Sequence, residues 1–191
     1  MNNKILSLFL ITLAFASNAM PAGHNLSLLH EAARDGNVEQ VRALIQNKEN
    51  INAISWFNWT PLHYAARNGH TECARELLQN GAKVNAKNNF DWTPLYWAAR
   101  EGKADSIVLL LLNGADVNAK NKANCIPLHM AAYFGYKDCV ELLLQNGADV
   151  NEKDNDGQTA KGVAQGRGYK DIVKLIEGYE NSQDIKEPEG N

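Results

Sequence analysis

The chain has 191 residues, 45% hydrophobic and 21% charged, with a formal net charge of −3. Its mildly acidic balance supplies no basic face for a nucleic acid, so that class of partner is excluded at the outset. The content of apolar residues is enough for a packed core.

The N-terminus differs in character from the rest. Lys4 is a lone positive charge ahead of the apolar run Ile5 to Ala16, and Ser17-Asn18-Ala19 sets small residues at −3 and −1 of a cleavage point. A run this short is a poor membrane span, and the pattern is that of a secretory signal peptide over residues 1–19. Ala14-Phe15-Ala16 offers a second cleavage point. The mature chain is expected to begin at Met20, to have no membrane span, and to be periplasmic or extracellular. No cysteine follows the run, which argues against a lipid anchor.

Residues 22–54 form a first helical unit. Leu28, Leu29, Ala32, Ala33, Val38, Val41, Leu44 and Ile45 supply its core, with Arg34, Asp35, Glu39, Gln40 and Arg42 on its wet face. The next unit, 55–87, is the best formed. Thr60 is a good helix N-cap, Pro61 fits the first helical position, and Gly69 supplies a left-handed stop. A second helix carries Cys73, Ala74, Leu77 and Leu78 inward and ends at Asn80-Gly81, before the extended Ala82-Lys83-Val84-Asn85. Thr60-Pro61-Leu62-His63-Tyr64-Ala65-Ala66 returns 33 residues later as Thr93-Pro94-Leu95-Tyr96-Trp97-Ala98-Ala99, and again as Ile126-Pro127-Leu128-His129-Met130-Ala131-Ala132. Gly81-Ala82-Lys83-Val84-Asn85 recurs as Gly114-Ala115-Asp116-Val117-Asn118 and Gly147-Ala148-Asp149-Val150-Asn151. Degenerate copies extend the register on both sides, from Ser27 and from Thr159. Self-similarity sustained at one period means a stacked array, because no unit can bury its apolar face alone. The run Ile107 to Leu112 fits a helix covered on both sides in mid-stack.

The motif T-P-L-H-x-A-A…G…G-A-x-V-N at this period resembles the ankyrin repeat family over roughly residues 25–180. The resemblance implies an all-α repeat solenoid of about five helix-turn-helix units with β-hairpin fingers between them. Its units are an N-terminal cap (22–54), three repeats (55–87, 88–120, 121–153) and a C-terminal cap (154–180), followed by a tail (181–191). The family's usual finger glycine is replaced by Asn58, Asp91 and Asn124 and kept at Gly157; Asn and Asp best tolerate the left-handed conformation needed there.

In that family the finger tips and the exposed side of the first helix line a concave groove that contacts partners. Trp56, Phe57, Trp59, Arg67, Asn68, Phe90, Trp92, Arg100, Glu101, Tyr133 and Phe134 map onto those positions. Tyr96 and Trp97 are read as partly core. So many rings on one edge exceed what stacking needs, and Trp56 and Trp92 are the expected anchors, with Arg67 and Arg100 behind them.

His30, His63 and His129 share one repeat position, from which an imidazole can bond the preceding turn and lock neighbouring loops. One-repeat spacing keeps them from sharing a metal, and His24 and His70 have no catalytic partner. His30-Glu31-Ala32-Ala33-Arg34 lacks the second histidine of a zinc-protease helix. Cys73 and Cys139 lie two units apart and Cys125 on a hairpin, so no intrachain disulfide is expected. No phosphate loop, nucleophile elbow or acid pair is present. The chain reads as a non-enzymatic, monomeric protein-binding module with no cofactor and no metal. A scaffold, a dedicated inhibitor or immunity partner of an exported enzyme or toxin, and a host-directed effector all remain open. In the fifth unit Gly162 and Gly166 weaken the first helix. From Gly178 onward the acidic, apolar-poor tail is expected to be disordered.

Overall fold

A computed structural model of the protein describes residues 26–184. The expected signal peptide, residues 1–19, lies outside the described residues, as do 185–191. Five helical hairpins follow one another: α1 (Leu28–Asp35) with α2 (Val38–Gln46), α3 (Pro61–Asn68) with α4 (Thr71–Gln79), and α5 (Pro94–Arg100) with α6 (Ala104–Leu112). The last two pair α7 (Pro127–Phe134) with α8 (Lys137–Gln145), and α9 (Ala160–Arg167) with α10 (Lys170–Asp184). A single 3-10 turn, Trp56–Asn58, occupies the first finger. Odd-numbered helices form an inner row and even-numbered helices an outer row, and neighbours in the inner row make the closer contact.

The inner helices can approach because they meet on alanine. Ala65, Ala66, Ala98, Ala99, Ala131 and Ala132 are all fully buried, with Leu62, Leu95 and Leu128 between them. Pro61, Pro94 and Pro127 open three of these helices, where the missing N–H costs nothing. At the other end the chain must turn sharply against the next unit. Gly102 has φ +67, and a Cβ there would lie 2.8 Å from the Tyr136 ring, so both its conformation and its space demand glycine.

Two sets of side chains tie each unit to its successor. In the first, Thr60 N–H donates to His63 Nδ1 at 3.1 Å while His63 Nε2–H donates to the Trp92 carbonyl at 2.9 Å. His30 reaches the Trp59 carbonyl (3.1 Å) and His129 that of Gln158 (3.1 Å) in the same way. The histidines are therefore latches, as their repeat position implied. In the second set, Asn52 Nδ2 donates to the Gly81 carbonyl (3.1 Å) and its Oδ1 accepts from Lys83 N–H (2.9 Å). Asn85 and Asn118 repeat that pair of bonds to Gly114 and Asp116, and to Gly147 and Asp149.

The fingers depart from expectation. No strand is present among the described residues, so the β-hairpins are replaced by tight turns. Each closes with a backbone bond across its ends, such as Asn88 N–H to the Trp92 carbonyl at 3.1 Å, and a tighter one inside it, such as Asp91 N–H to the Asn88 carbonyl at 2.9 Å. The side chain at the turn's start takes the N–H groups a ladder would need. Asn88 Oδ1 accepts from Phe90 and Trp92, and Asn121 Oδ1 accepts from Ala123 and Cys125. Asp154 does the same for Asp156 and Gln158. The left-handed residues stand where expected, with φ 60 at Asn58 and at Asp91, 56 at Asn124 and 75 at Gly157.

Two further expectations are corrected. α10 runs to Asp184, so residues 178–184 are helical rather than disordered. Tyr179 packs against the core, and Glu180 pairs with Lys161 at 2.6 Å, which offsets the ordering cost of that turn. Ile126, at a cap position, is fully buried in the core. Its replacement by threonine exchanges buried apolar atoms, about 1 kcal/mol, for a cap bond of about 0.5–2 kcal/mol, and is expected to leave the urea midpoint nearly unchanged. Finally, the Ile107–Leu112 run is not covered all round. Ile107, Leu109 and Leu110 are buried, but Val108 and Leu112 face solvent.

Candidate functional site: the aromatic edge of the inner helices

The finger roots of the second and third units point aromatic side chains at the first turns of α3 and α5. Trp59, Tyr64, Trp92, Tyr96 and Trp97 make a second core beside the alanine-leucine one, with Phe90, Cys125 and Met130 packed at its border. Trp97 is its hub. Its ring centroid lies 4.6 Å from Trp59 and 4.9 Å from Trp92, which stacks nearly parallel on Tyr96 at 5.4 Å. Trp59 and Trp92 are each only 2% exposed. They are not groove contacts, and Trp92 cannot anchor a partner. Both indoles lie at the finger roots, where the left-handed residue turns the chain back against the inner helices.

Other expected site residues are accessible. Trp56 is 58% exposed and Phe57 37% exposed. They form an edge-to-face pair at 5.8 Å, and Phe57 continues through Phe90 (5.7 Å) to Trp92. Phe57 itself has φ 58 and ψ 24, a left-handed conformation that a bulky residue adopts at a cost of about 1–2 kcal/mol. Its carbonyl accepts from Asn89 N–H, 2.8 Å away on the next finger, a bond that Phe90 and Ala123 make to Lys122 and Asn155 without a left-handed backbone. Strain of this kind concentrates at sites of function.

Above the buried rings lies a layer of charge. Arg67 and Arg100 sit over Trp97 with their guanidinium carbons 5.2 and 5.1 Å from its centroid, and Arg100 also covers Phe134 at 5.3 Å. Glu101 bridges them, at 3.7 Å from Arg67 and in direct contact with Arg100. Burial is the main influence on Arg67 and pulls its pKa down, opposed by Glu101. Asn68 is exposed and ties back to the Arg34 carbonyl at 2.7 Å. Tyr133 and Phe134 are half-buried, and Arg167 lies over Tyr133 at 4.3 Å. The sequence reading missed Arg167, although it shares the repeat position of Glu101 and Phe134. The expected residues thus divide into a buried core pair, an arginine layer and an exposed tip.

His30, His63 and His129 are latched and shielded, with burial pulling His63 down to about 4. The three cysteines are free, and burial pushes Cys139 up to about 11 and Cys125 up to about 12, far from thiolate reactivity. Among the described residues no His, Cys, Asp and Glu group could hold a metal, and no helix is long and apolar enough to cross a membrane.

The family model for ankyrin repeats matches three times, over residues 9–88, 29–121 and 95–187. The chain belongs to the ankyrin repeat family. No curated protein matches it. Ankyrin repeats are in general protein–protein interaction modules, and the family is typically non-enzymatic.

Proposed function

We propose that this chain is an exported module that holds one protein partner against its inner helices and finger tips. The observation that supports this reading most is the first finger: a tryptophan more than half exposed beside a phenylalanine kept in a strained backbone. Exposed aromatic anchors dominate interface energies, and the layer of Arg67, Glu101 and Arg100 over the buried rings supplies oriented polar contacts. A contact of standard size covers about 800 Å² on each side, which two or three adjacent units provide.

The test is affinity capture from the native compartment on the immobilised mature chain, followed by titration of whatever is retained. Trp56→Ala is expected to cost at least about 2 kcal/mol of binding with the urea midpoint unchanged, while Glu72→Ala on the outer row changes neither. Retention of full affinity by Trp56→Ala would remove the finger from the interface. Export rests on Lys4, the Ile5–Ala16 run and Ser17-Asn18-Ala19. The intact mass of the native protein is expected to start at Met20; a soluble form that keeps residues 1–19 would rule export out.

A further inference from the structure

The outer row carries a surface unlike the inner one, and it is independent of the groove. Aligned by the repeat, the position of Val108 is Arg42, Arg75, Glu141 and Lys174 in the other units. The position of Leu112 is Gln46, Gln79, Gln145 and Gly178. Only the central unit puts aliphatic side chains at both, and the structure leaves them open: Val108 is 39% and Leu112 80% exposed. They lie one turn apart on α6, with the half-buried Leu111 beside them.

We propose that this patch pairs two copies of the chain through a two-fold axis at α6. The neighbours of the patch make it self-complementary. One unit before Val108 stands Arg75, held only by Glu72 at 3.4 Å on a solvated surface; one unit after it stands Glu141, likewise exposed. A two-fold axis lying in this face, parallel to α6, reverses the order of the units. It lays the second unit of one copy over the fourth unit of its partner and brings each Arg75 to the Glu141 side of the other copy. That is the symmetry a closed homodimer requires, with one patch serving both sides. A patch in a terminal unit would leave most of the second chain overhanging; the central position lets both arms overlap. Two aliphatic side chains bury little beside the roughly 800 Å² per partner of a standard interface, so the pairing is weak and concentration-dependent.

Sedimentation velocity of the full-length mature chain from about 5 µM to about 500 µM tests this directly, since mass action must draw a weak dimer out across that range. A rise from monomer toward dimer is expected. Leu112→Gln, the residue used by three other units, should hold the protein monomeric throughout with an unchanged urea midpoint. Arg75→Glu should weaken association at least tenfold, and the exchange Arg75→Glu with Glu141→Arg should restore it. A wild-type chain that stays monomeric to the highest concentration overturns the proposal, as does a dimer that survives Leu112→Gln. Failure of the charge exchange to restore pairing overturns the two-fold arrangement.

Discussion

Trp97→Ala is expected to destabilise the fold by about 3–5 kcal/mol, the range for emptying a buried aromatic site. Trp97 is fully buried and touches Trp59, Trp92 and Tyr96 from three sides. Its removal leaves a void that these rings cannot close without leaving their own contacts. It also takes away the face on which Arg67 and Arg100 rest, so two cations that were well placed become poorly supported. Trp92→Ala should follow the same course, whereas Trp56→Ala should leave the midpoint in place. Urea titration of the three variants decides the matter. A Trp97→Ala midpoint close to that of the native chain would show that the second core contributes no packing energy.

The second large effect is a loss of stability in mild acid. His30, His63 and His129 all have pKa values below the ordinary imidazole value, chiefly because burial penalises the cation. Backbone carbonyls oppose this at each site, and Asp154 and Glu152 do so at His129. An unfolded chain takes up protons on these rings as pH falls through 6.5, but the native chain holds His63 neutral down to about 4. Stability is therefore complete above 6.5 and falls as pH drops toward 4. His63 alone should remove about 2 kcal/mol by pH 5, and the other two add to it. Urea midpoints at pH 7.5 and pH 5 check the sign and size. His63→Gln should be less stable at pH 7.5 yet show a shallower fall between the two; an equally steep fall would take His63 out of the effect.

Much of the fold was legible because its period is written in residues with strong local meaning. Thr60-Pro61 starts a helix, the glycines stop it, and paired alanines leave room for a neighbour. The left-handed finger positions could be read from Asn58, Asp91 and Asn124 for the same reason. The candidate site was legible only in outline. Whether an aromatic residue near a finger lies outside or beneath it depends on one change of chain direction, so Trp56 and Trp92 looked equivalent though one is exposed and the other closed in. The missing strands have a similar origin. Asn88 and Asn121 compete with the backbone for its own donors, a contest that alternation of polar and apolar residues does not display.

The latches described above all reach forward along the chain. His30, His63 and His129 each close on a carbonyl 29 residues later, and Asn52, Asn85 and Asn118 each grip a glycine carbonyl at the same separation. For a polypeptide that emerges N-terminus first, no unit can therefore finish its own bonding when its last residue appears. It waits for most of the next unit to arrive. Assembly advances with an unsealed leading unit, one step behind the growing end. Only when Gln158 arrives does His129 acquire its acceptor, and the fifth unit is held by Tyr179 and the Lys161–Glu180 pair.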